Sequence, residues 1–193
     1  MATYARKRKN RLNRHTAGRA VIPERDETDL WSIVEEQAEP FVLILDRVQD
    51  PHNLGACLRT AEAAGVHAVV APKKHTVGLT ETVRQISTGA ADTVPYIQVG
   101  NLGQTLRSLQ DRGLFLVATS DHMASQELWS VDLTGPIGLV LGSEGEGVRS
   151  LTARTCDCCV NIPMAGQIDC LNLSVATGVC LFEAVRQRRA AGQ

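Results

Sequence analysis

The sequence has few aromatic residues, which make up only 4% of its 193 residues. A core built from this chain must therefore be mainly aliphatic. The chain also lacks an apolar run near the ~20 residues that a membrane-spanning helix needs, and its longer runs, such as 41–45, have the length of a strand. A hydrophobic secretory leader is missing as well. We therefore expect no membrane span and a cytoplasmic location.

Acidic residues are missing from the first 23 positions. This segment holds seven basic residues, which leaves 13 basic and 21 acidic residues, a formal charge of −8, for the rest of the chain. We predict a flexible basic arm over residues 1–25, which indicates a polyanionic partner. A solvated tail and a mitochondrial transit peptide are the alternatives, although the segment has no serine and no amphipathic face to fit a transit peptide.

A complete set of metal ligands is also lacking. Of the six cysteines, Cys156 and Cys159 form one C-x-x-C pair, and neither a second pair nor histidines follow at ligand spacing. We therefore expect reduced thiols and no metal site.

From residue 40 onward, apolar strand patterns alternate with helical patterns. A short helical lead-in (26–39) with Thr28 as N-cap precedes a single domain over residues 40–193. Helices are predicted over 29–37, 53–64, 80–87, 102–111, 147–155 and 171–188, and strands over 41–46, 67–71, 96–99, 114–119, 137–141 and 159–162. The last helix repeats apolar residues every three or four positions, at Leu171, Val175, Val179, Phe182 and Val185. This alternation predicts an α/β fold with a mostly parallel, six-stranded sheet and helices on both faces.

Three predicted strands are followed by unusual polar segments, and ligands of open parallel sheets bind beyond the carboxyl ends of strands. The first strand leads into DRVQDPHNLG at 46–55 and then Arg59. The fifth leads into GSEGEG at 142–147, whose spacing is neither a P-loop nor a dinucleotide fingerprint. The sixth leads into Pro163 and then CLNLS at 170–174. Taken singly, each segment also fits ordinary capping, a surface cation or a tight turn.

Together and in this order, the three segments resemble the signature motifs of the SpoU/TrmH family of RNA ribose 2′-O-methyltransferases, within the SPOUT class. The resemblance covers about residues 40–189. The segment VATGVCLFEAVRQ at 175–187 is most similar to the subgroup that methylates guanosine in 23S ribosomal RNA. The resemblance implies a deep trefoil knot near the C-terminus, S-adenosylmethionine as cofactor, an RNA substrate and an obligate homodimer with its active site at the subunit interface.

The same resemblance implies the site residues. The catalytic positions are Asn53, Arg59, Glu144 and Asn172, and the cofactor-binding positions are Thr119, Gly142, Ser143, Ile162, Met164 and Leu171. Arg59 would contact the 2′-hydroxyl and an adjacent phosphate and stabilise the developing alkoxide, while the asparagines orient Arg59 and the ribose. Glu144 would accept a hydrogen bond from the substrate or hold Arg59. The arm would bind RNA phosphates through Arg6, Lys7, Arg8, Lys9, Arg11 and Arg14.

Two departures from the family pattern keep other functions open. Cys170 stands where the family commonly has serine, and a thiol is a weaker hydrogen-bonding group. Many relatives also carry an N-terminal RNA-binding domain, where this chain has only the arm and the lead-in. The alternatives are a transfer RNA 2′-O-methyltransferase, a non-catalytic RNA-binding ribosome-assembly factor of the same fold, and an unrelated nucleotide-binding α/β enzyme.

Overall fold

The computed structural model describes residues 25–120, 125–143, 145 and 147–192. The predicted basic arm, apart from Arg25, and Glu144 lie outside the described residues. Arg25 forms an isolated parallel bridge with Ile97. Within the described part of the chain, no helix has both the length and the apolar character needed to span a bilayer.

Among the described residues, one seven-stranded sheet forms the centre of the fold. Its strands are β1 (Phe41–Asp46), β2 (Ala68–Pro72), β3 (Tyr96–Val99), β4 (Phe115–Thr119), β5 (Gln126–Glu127), β6 (Ile137–Gly142) and β7 (Cys158–Asn161). They lie in the order β3-β2-β1-β6-β4-β7-β5, and every neighbouring pair is parallel. The predicted parallel sheet is confirmed, but the count of six strands is wrong. The missed strand, β5, has only two exposed residues, which are too few to produce an apolar pattern.

In the part of the chain that the structure describes, six α-helices flank the sheet: α1 (Glu27–Glu36), α2 (Pro51–Ala64), α3 (Glu81–Ser87), α4 (Leu102–Asp111), α5 (Ser150–Thr155) and α6 (Leu173–Ala190). Asp26, not Thr28, caps α1, because its carboxylate accepts hydrogen bonds from the backbone N–H groups of Thr28 and Asp29 in a capping box. The prediction that α5 starts at Gly147 is also wrong, since Gly147 has a φ of +62° and cannot begin a helix.

Helices cover both faces of the sheet, as predicted. Side chains of β1 alternate between two apolar cores: Leu43 and Leu45 lie in the core that also contains α2 and α6, whereas Val42 and Ile44 lie in the core that contains α1 and α4. All six residues of β1 are buried. A strand buried on both faces explains why the sequence shows a continuous apolar run there.

The predicted apolar stripe of α6 faces the core only in part, since Val179 and Val185 pack against the core. Val175 and Phe182 are 51% and 47% exposed, while Thr177 and Cys180 are fully buried. Thr177 tolerates burial because its hydroxyl donates to the Leu173 carbonyl oxygen at 2.8 Å and lies 3.4 Å from the Cys57 sulfur. The inward face of α6 therefore combines Leu173 and Leu181 with these small side chains, and Val175 and Phe182 remain at the surface.

His67 and Arg188 tie the amino edge of the sheet together. The Phe41 N–H donates to Nδ1 of His67 at 2.9 Å. Arg188 lies over the Phe41 ring at 4.6 Å and donates to the carbonyl oxygens of Pro40 and Gly135. Burial, and then the charge of Arg188, lowers the pKa of His67 below its ordinary value of 6.5. His67 is therefore neutral in the folded protein, with Nδ1 as an acceptor.

This arrangement predicts a pH-dependent stability. Because folding lowers the pKa of His67, its contribution to the free energy of unfolding is complete above about pH 6.5. This contribution is lost as the pH falls below that value, by at most ~1.4 kcal/mol per pH unit. Urea denaturation at pH 7.5 and 5.5 should show this loss in the wild-type protein. His67→Asn should reduce the difference between the two pH values, whereas the exposed-site control His52→Asn should retain it. An equal pH dependence in His67→Asn would contradict the assignment.

Candidate active site

A polar cleft lies at the carboxyl edge of the sheet, where β1 and β6 end side by side. Its volume is about 320 Å³. The lining residues come from the loop after β1, the start of α2, the end of β6 and the start of α6: Arg47, Val48, Gln49, Asp50, Asn53, Ser143 and Leu173. The end of β6 and the start of α6 lie about 90 and 120 residues after the first segment in the sequence. The fold brings all three segments together at one place that a ligand can reach.

Two predicted catalytic residues form an asparagine pair, Asn53 and Asn172, beside this cleft. The Nδ2 of Asn172 donates to Oδ1 of Asn53 at 3.0 Å. The Oδ1 of Asn172 accepts hydrogen bonds from the backbone N–H and the hydroxyl of Ser174, at 3.0 and 2.6 Å. Asn172 is the N-cap of α6, not part of its first turn as predicted, and Asn53 is 8% exposed in the first turn of α2. Both amides thus have fixed orientations.

A buried ion pair connects the first motif with the segment after the glycine-rich loop. Asp46 ends β1 and is 0% exposed. Its carboxylate accepts from Nε of Arg149 at 3.0 Å, from Nη2 at 2.7 Å and from the Arg149 backbone N–H at 3.2 Å. Sequence reasoning included Asp46 in its motif but missed Arg149. The sequence does indicate that Asp46 needs a cationic partner, because it is an acidic residue at the end of a buried strand, but it does not indicate which residue supplies the charge.

The glycine-rich loop folds closely over the end of β6. A Cβ atom on Gly142 would collide with the backbone of Gly147 and Val148, so this position requires glycine. The Gly147 N–H donates to the Ser143 carbonyl oxygen at 2.9 Å and closes the loop. Ser143 faces the cleft.

Arg59 does not join the asparagine pair within one chain. Six residues on a helix correspond to roughly 240° of rotation and ~9 Å of rise, so Arg59 and Asn53 leave α2 in different directions. Arg59 is exposed, and it has no hydrogen-bonding or ionic partner among the residues that the structure describes.

Most of the predicted cofactor-binding residues lie at neighbouring strand ends. Thr119 ends β4, Gly142 ends β6, and Ile162 directly follows β7. These three strands are adjacent in the sheet. Met164 and Leu171 belong to the segment that connects β7 to α6, where Met164 is 38% exposed and Leu171 is half-buried.

Arg47 is a cleft residue that sequence reasoning did not single out. It lines the cleft and has a φ of +66°, in the left-handed region that glycine favours. The sequence does not predict this left-handed backbone conformation for an arginine, because the conformation depends on how the loop folds. Such strain is typical of functional sites.

The cysteines do not form a reactive or metal-binding cluster in the described residues. Burial raises the pKa of the Cys156 and Cys158 thiols to about 12 and 11, so both remain protonated at neutral pH. No group of three or more metal-ligating side chains occurs in residues 25–120, 125–143, 145 and 147–192.

Comparison with known proteins assigns the family. Residues 40–182 match the SpoU rRNA Methylase family. The chain belongs to this family. It is 60% identical over 152 residues to the 23S rRNA (guanosine-2′-O-)-methyltransferase RlmB of Ralstonia nicotianae, which covers 79% of this chain and 61% of the relative. It is 53% identical over 163 residues to the RlmB of Shewanella oneidensis, which covers 84% of this chain and 66% of the relative. The chain thus spans slightly less than two thirds of the length of these two relatives.

Solved structures of the SpoU family share its architecture. The SpoU methyltransferase AviRb from Streptomyces viridochromogenes in complex with AdoMet superposes with a TM-score of 0.76 at 28% identity, over 82% of this chain and 64% of that one. A TrmH/SpoU tRNA modifying enzyme from A. aeolicus superposes with a TM-score of 0.73 at 33% identity, over 86% and 83% of the two chains. The fold that contains the cleft is therefore shared with a methyltransferase that binds AdoMet.

The Asp46–Arg149 ion pair predicts a specific loss of stability. Arg149→Ala leaves a fully buried carboxylate without its cation, which should lower the free energy of unfolding by about 3 kcal/mol. Adding Asp46→Asn should recover part of this loss, because the uncompensated charge is then removed. Urea denaturation measures both effects, and Arg154→Ala, a basic residue in the last turn of α5, is the control. If Arg149→Ala costs no more than the control, the pair does not stabilise the loop.

Proposed function

We propose that this chain transfers a methyl group from S-adenosylmethionine to a ribose 2′-hydroxyl of RNA, in a guanosine of 23S ribosomal RNA. The observation that carries the proposal is the hydrogen bond of the asparagine pair, which unites the first and third family motifs beside a polar cleft. The names of the RlmB relatives support the 23S substrate. The tRNA enzyme among the structural neighbours makes transfer RNA the second candidate substrate. We place the reaction in the cytoplasm.

The residues present fit S-adenosylmethionine. The adjacent carboxyl ends of β4, β6 and β7 supply backbone groups. At Gly142, the end of β6 lies in close contact with the backbone of residues 147 and 148, and the segment between β7 and α6 exposes the apolar side chains of Met164 and Ile168. Thr119, Gly142, Ser143, Ile162, Met164 and Leu171 would hold the cofactor, which supplies an electrophilic methyl group when it is bound. The close crossing at Gly142 also supports the trefoil knot, which belongs to this proposal.

The protein's own residues would act mainly by positioning the ribose. Asn53 and Asn172 hold each other in one orientation and present amide groups to the substrate. Arg59 would donate hydrogen bonds to the 2′-oxygen and an adjacent phosphate and stabilise negative charge as the hydroxyl proton leaves. Glu144, outside the described residues, would accept a hydrogen bond from the substrate or from Arg59.

We propose that the active unit is a homodimer with its active site at the subunit interface. Two observations support this assembly: α6 exposes the apolar side chains of Val175 and Phe182, and Arg59 has no partner within the described part of its own chain. A second copy that covers this face would bury the apolar stripe.

We assign residues 40–193 as the catalytic domain, with 26–39 as its lead-in and 1–25 as an RNA-binding arm. Phosphate contacts by arm residues Arg6, Lys7, Arg8, Lys9, Arg11 and Arg14 would add affinity without base selectivity. The specificity would then come from the catalytic domain or from a further RNA-binding part such as longer relatives contain.

Replacement of Arg59 tests the catalytic proposal. Arg59→Ala should lower the rate of methyl transfer to 23S ribosomal RNA about 100-fold or more, since a lost donor to a developing oxyanion has an effect of this size. Calorimetric binding of S-adenosylmethionine should be unchanged. The control Arg107→Ala, which removes an exposed arginine from α4, should transfer at the wild-type rate. Near-normal transfer by Arg59→Ala would contradict the role of Arg59.

A further inference from the structure

Two donors of Ser174 meet one oxygen of the Asn172 side chain. The Ser174 backbone N–H and the Ser174 hydroxyl lie 3.0 and 2.6 Å from Oδ1 of Asn172. A backbone N–H can only donate, so the Asn172 atom that it meets must be the amide oxygen. The opposite orientation of the amide would bring its NH2 group against this N–H and would lose both hydrogen bonds. Ser174 therefore determines which end of the Asn172 amide is turned toward α2.

The orientation of Asn172 in turn determines the orientation of Asn53. Because Oδ1 of Asn172 is turned toward Ser174, the Nδ2 of Asn172 is turned toward α2, where it donates to Asn53 at 3.0 Å. The accepting atom of Asn53 must be Oδ1, since two NH2 groups cannot hydrogen-bond each other. The Nδ2 of Asn53 is thus directed away from Asn172.

The Nδ2 group of Asn53 is accessible from the cleft. Asn53 lines the cleft, although only 8% of the residue is exposed. In the part of the chain that the structure describes, this Nδ2 makes no hydrogen bond, and it is not one of the fully buried polar atoms that lack a partner. The first motif therefore presents a fixed N–H donor, and not an acceptor, to a ligand in the cleft.

The hydroxyl of Ser174 matters because Asn172 is exposed in the single chain. Water can hydrogen-bond either end of an exposed amide, so without a fixed donor the two orientations of this amide would be similar in energy. The Ser174 backbone N–H supplies one fixed donor and the hydroxyl supplies the second. Removal of the hydroxyl alone therefore weakens the preference for one orientation without abolishing it.

We infer that Ser174 is a positioning residue, which orients the Asn172 amide so that Asn53 donates a hydrogen bond from Nδ2 to the 2′-oxygen of the bound ribose. The inference rests on the proposed function, because it names the contact that Asn53 makes with the substrate in the same cleft. A donor at this place stabilises the 2′-oxygen as its proton leaves. An N–H donor cannot accept that proton, so Asn53 is not the base.

Isosteric replacement of Asn53 distinguishes a donor from an acceptor. Asn53→Asp keeps an oxygen for Nδ2 of Asn172 but turns a second oxygen, in place of the NH2 group, toward the cleft. The rate of methyl transfer to 23S ribosomal RNA should fall about 100-fold or more, while calorimetric binding of S-adenosylmethionine stays at the wild-type level. Transfer at the wild-type rate or faster would show that Asn53 acts as an acceptor and would overturn the inference. A loss explained by weaker cofactor binding would also overturn it.

Removal and restoration of the Ser174 hydroxyl test its positioning role. Ser174→Ala should lower kcat about fivefold with little change in KM, since one hydrogen bond that orients the amide is lost. Ser174→Thr restores a hydroxyl and should recover most of this loss. The control Ser108→Ala removes another half-buried serine hydroxyl, from α4, and should transfer at the wild-type rate. Equal kcat values in Ser174→Ala and the control would contradict the positioning role.

An NMR measurement without methyl transfer separates this inference from the proposed function. In isotope-labelled protein, Ser174→Ala should shift the side-chain NH2 signals of both Asn172 and Asn53, because the two amides are oriented in sequence, whereas Ser108→Ala should shift neither. Unchanged Asn53 signals in Ser174→Ala would overturn the inference. A wild-type protein that shows these coupled shifts but transfers no methyl group to RNA would instead contradict the proposed function.

Discussion

The buried carboxylate of Asp46 sets the geometry of the carboxyl edge of the sheet. A charge removed from water costs several kcal/mol unless a partner and hydrogen bonds compensate it. Here the compensation comes from Arg149, about 100 residues later, through its guanidinium and its backbone N–H. The chain that leaves β6 must therefore fold back over β1 before α5 begins. The tight glycine loop and the need for glycine at position 142 follow from this return path.

The asparagine pair extends the same arrangement to the last helix. The Ser174 N–H donates to Oδ1 of the Asn172 amide, and Nδ2 of the same amide donates to Oδ1 of Asn53. The amino end of α6 is thereby tied to the amino end of α2. Polar groups from distant parts of the sequence reach fixed positions around one cleft, which suits a reaction in which the protein mainly holds a hydroxyl in line with a methyl donor.

Local sequence signals predicted the elements whose structure depends on local forces. The apolar runs of β1 and β3 and the pattern of α4 gave bounds that the structure reproduces. Thr28 was a wrong choice of N-cap because Asp26 and Asp29 form a reciprocal capping box, which outcompetes a single hydroxyl. The inward face of α6 was missed for a tertiary reason. Thr177 and Cys180 fit against α2, and a hydrophobicity pattern does not register that fit.

For the site, the sequence predicted candidate residues but not their partners. The contact between Asn53 and Asn172 emerges only when α2 and α6 pack together. The separation of Arg59 from that pair follows from its direction on α2, which the sequence interval of six residues already implies. Arg149 and Arg47 were missed because pairing with a buried carboxylate and a left-handed backbone angle are properties of the folded loops.

The most direct measurement is the position of the transferred methyl group. The purified protein is incubated with methyl-labelled S-adenosylmethionine and separate pools of undermodified 23S ribosomal RNA and transfer RNA, and the labelled RNA is hydrolysed with alkali. We expect label in the ribosomal RNA alone, at one guanosine, in an alkali-resistant dinucleotide, because a 2′-O-methyl group blocks cleavage of the adjacent phosphodiester. Label in alkali-released mononucleotides would place the methyl group on a base and contradict the proposed transfer to a ribose 2′-hydroxyl.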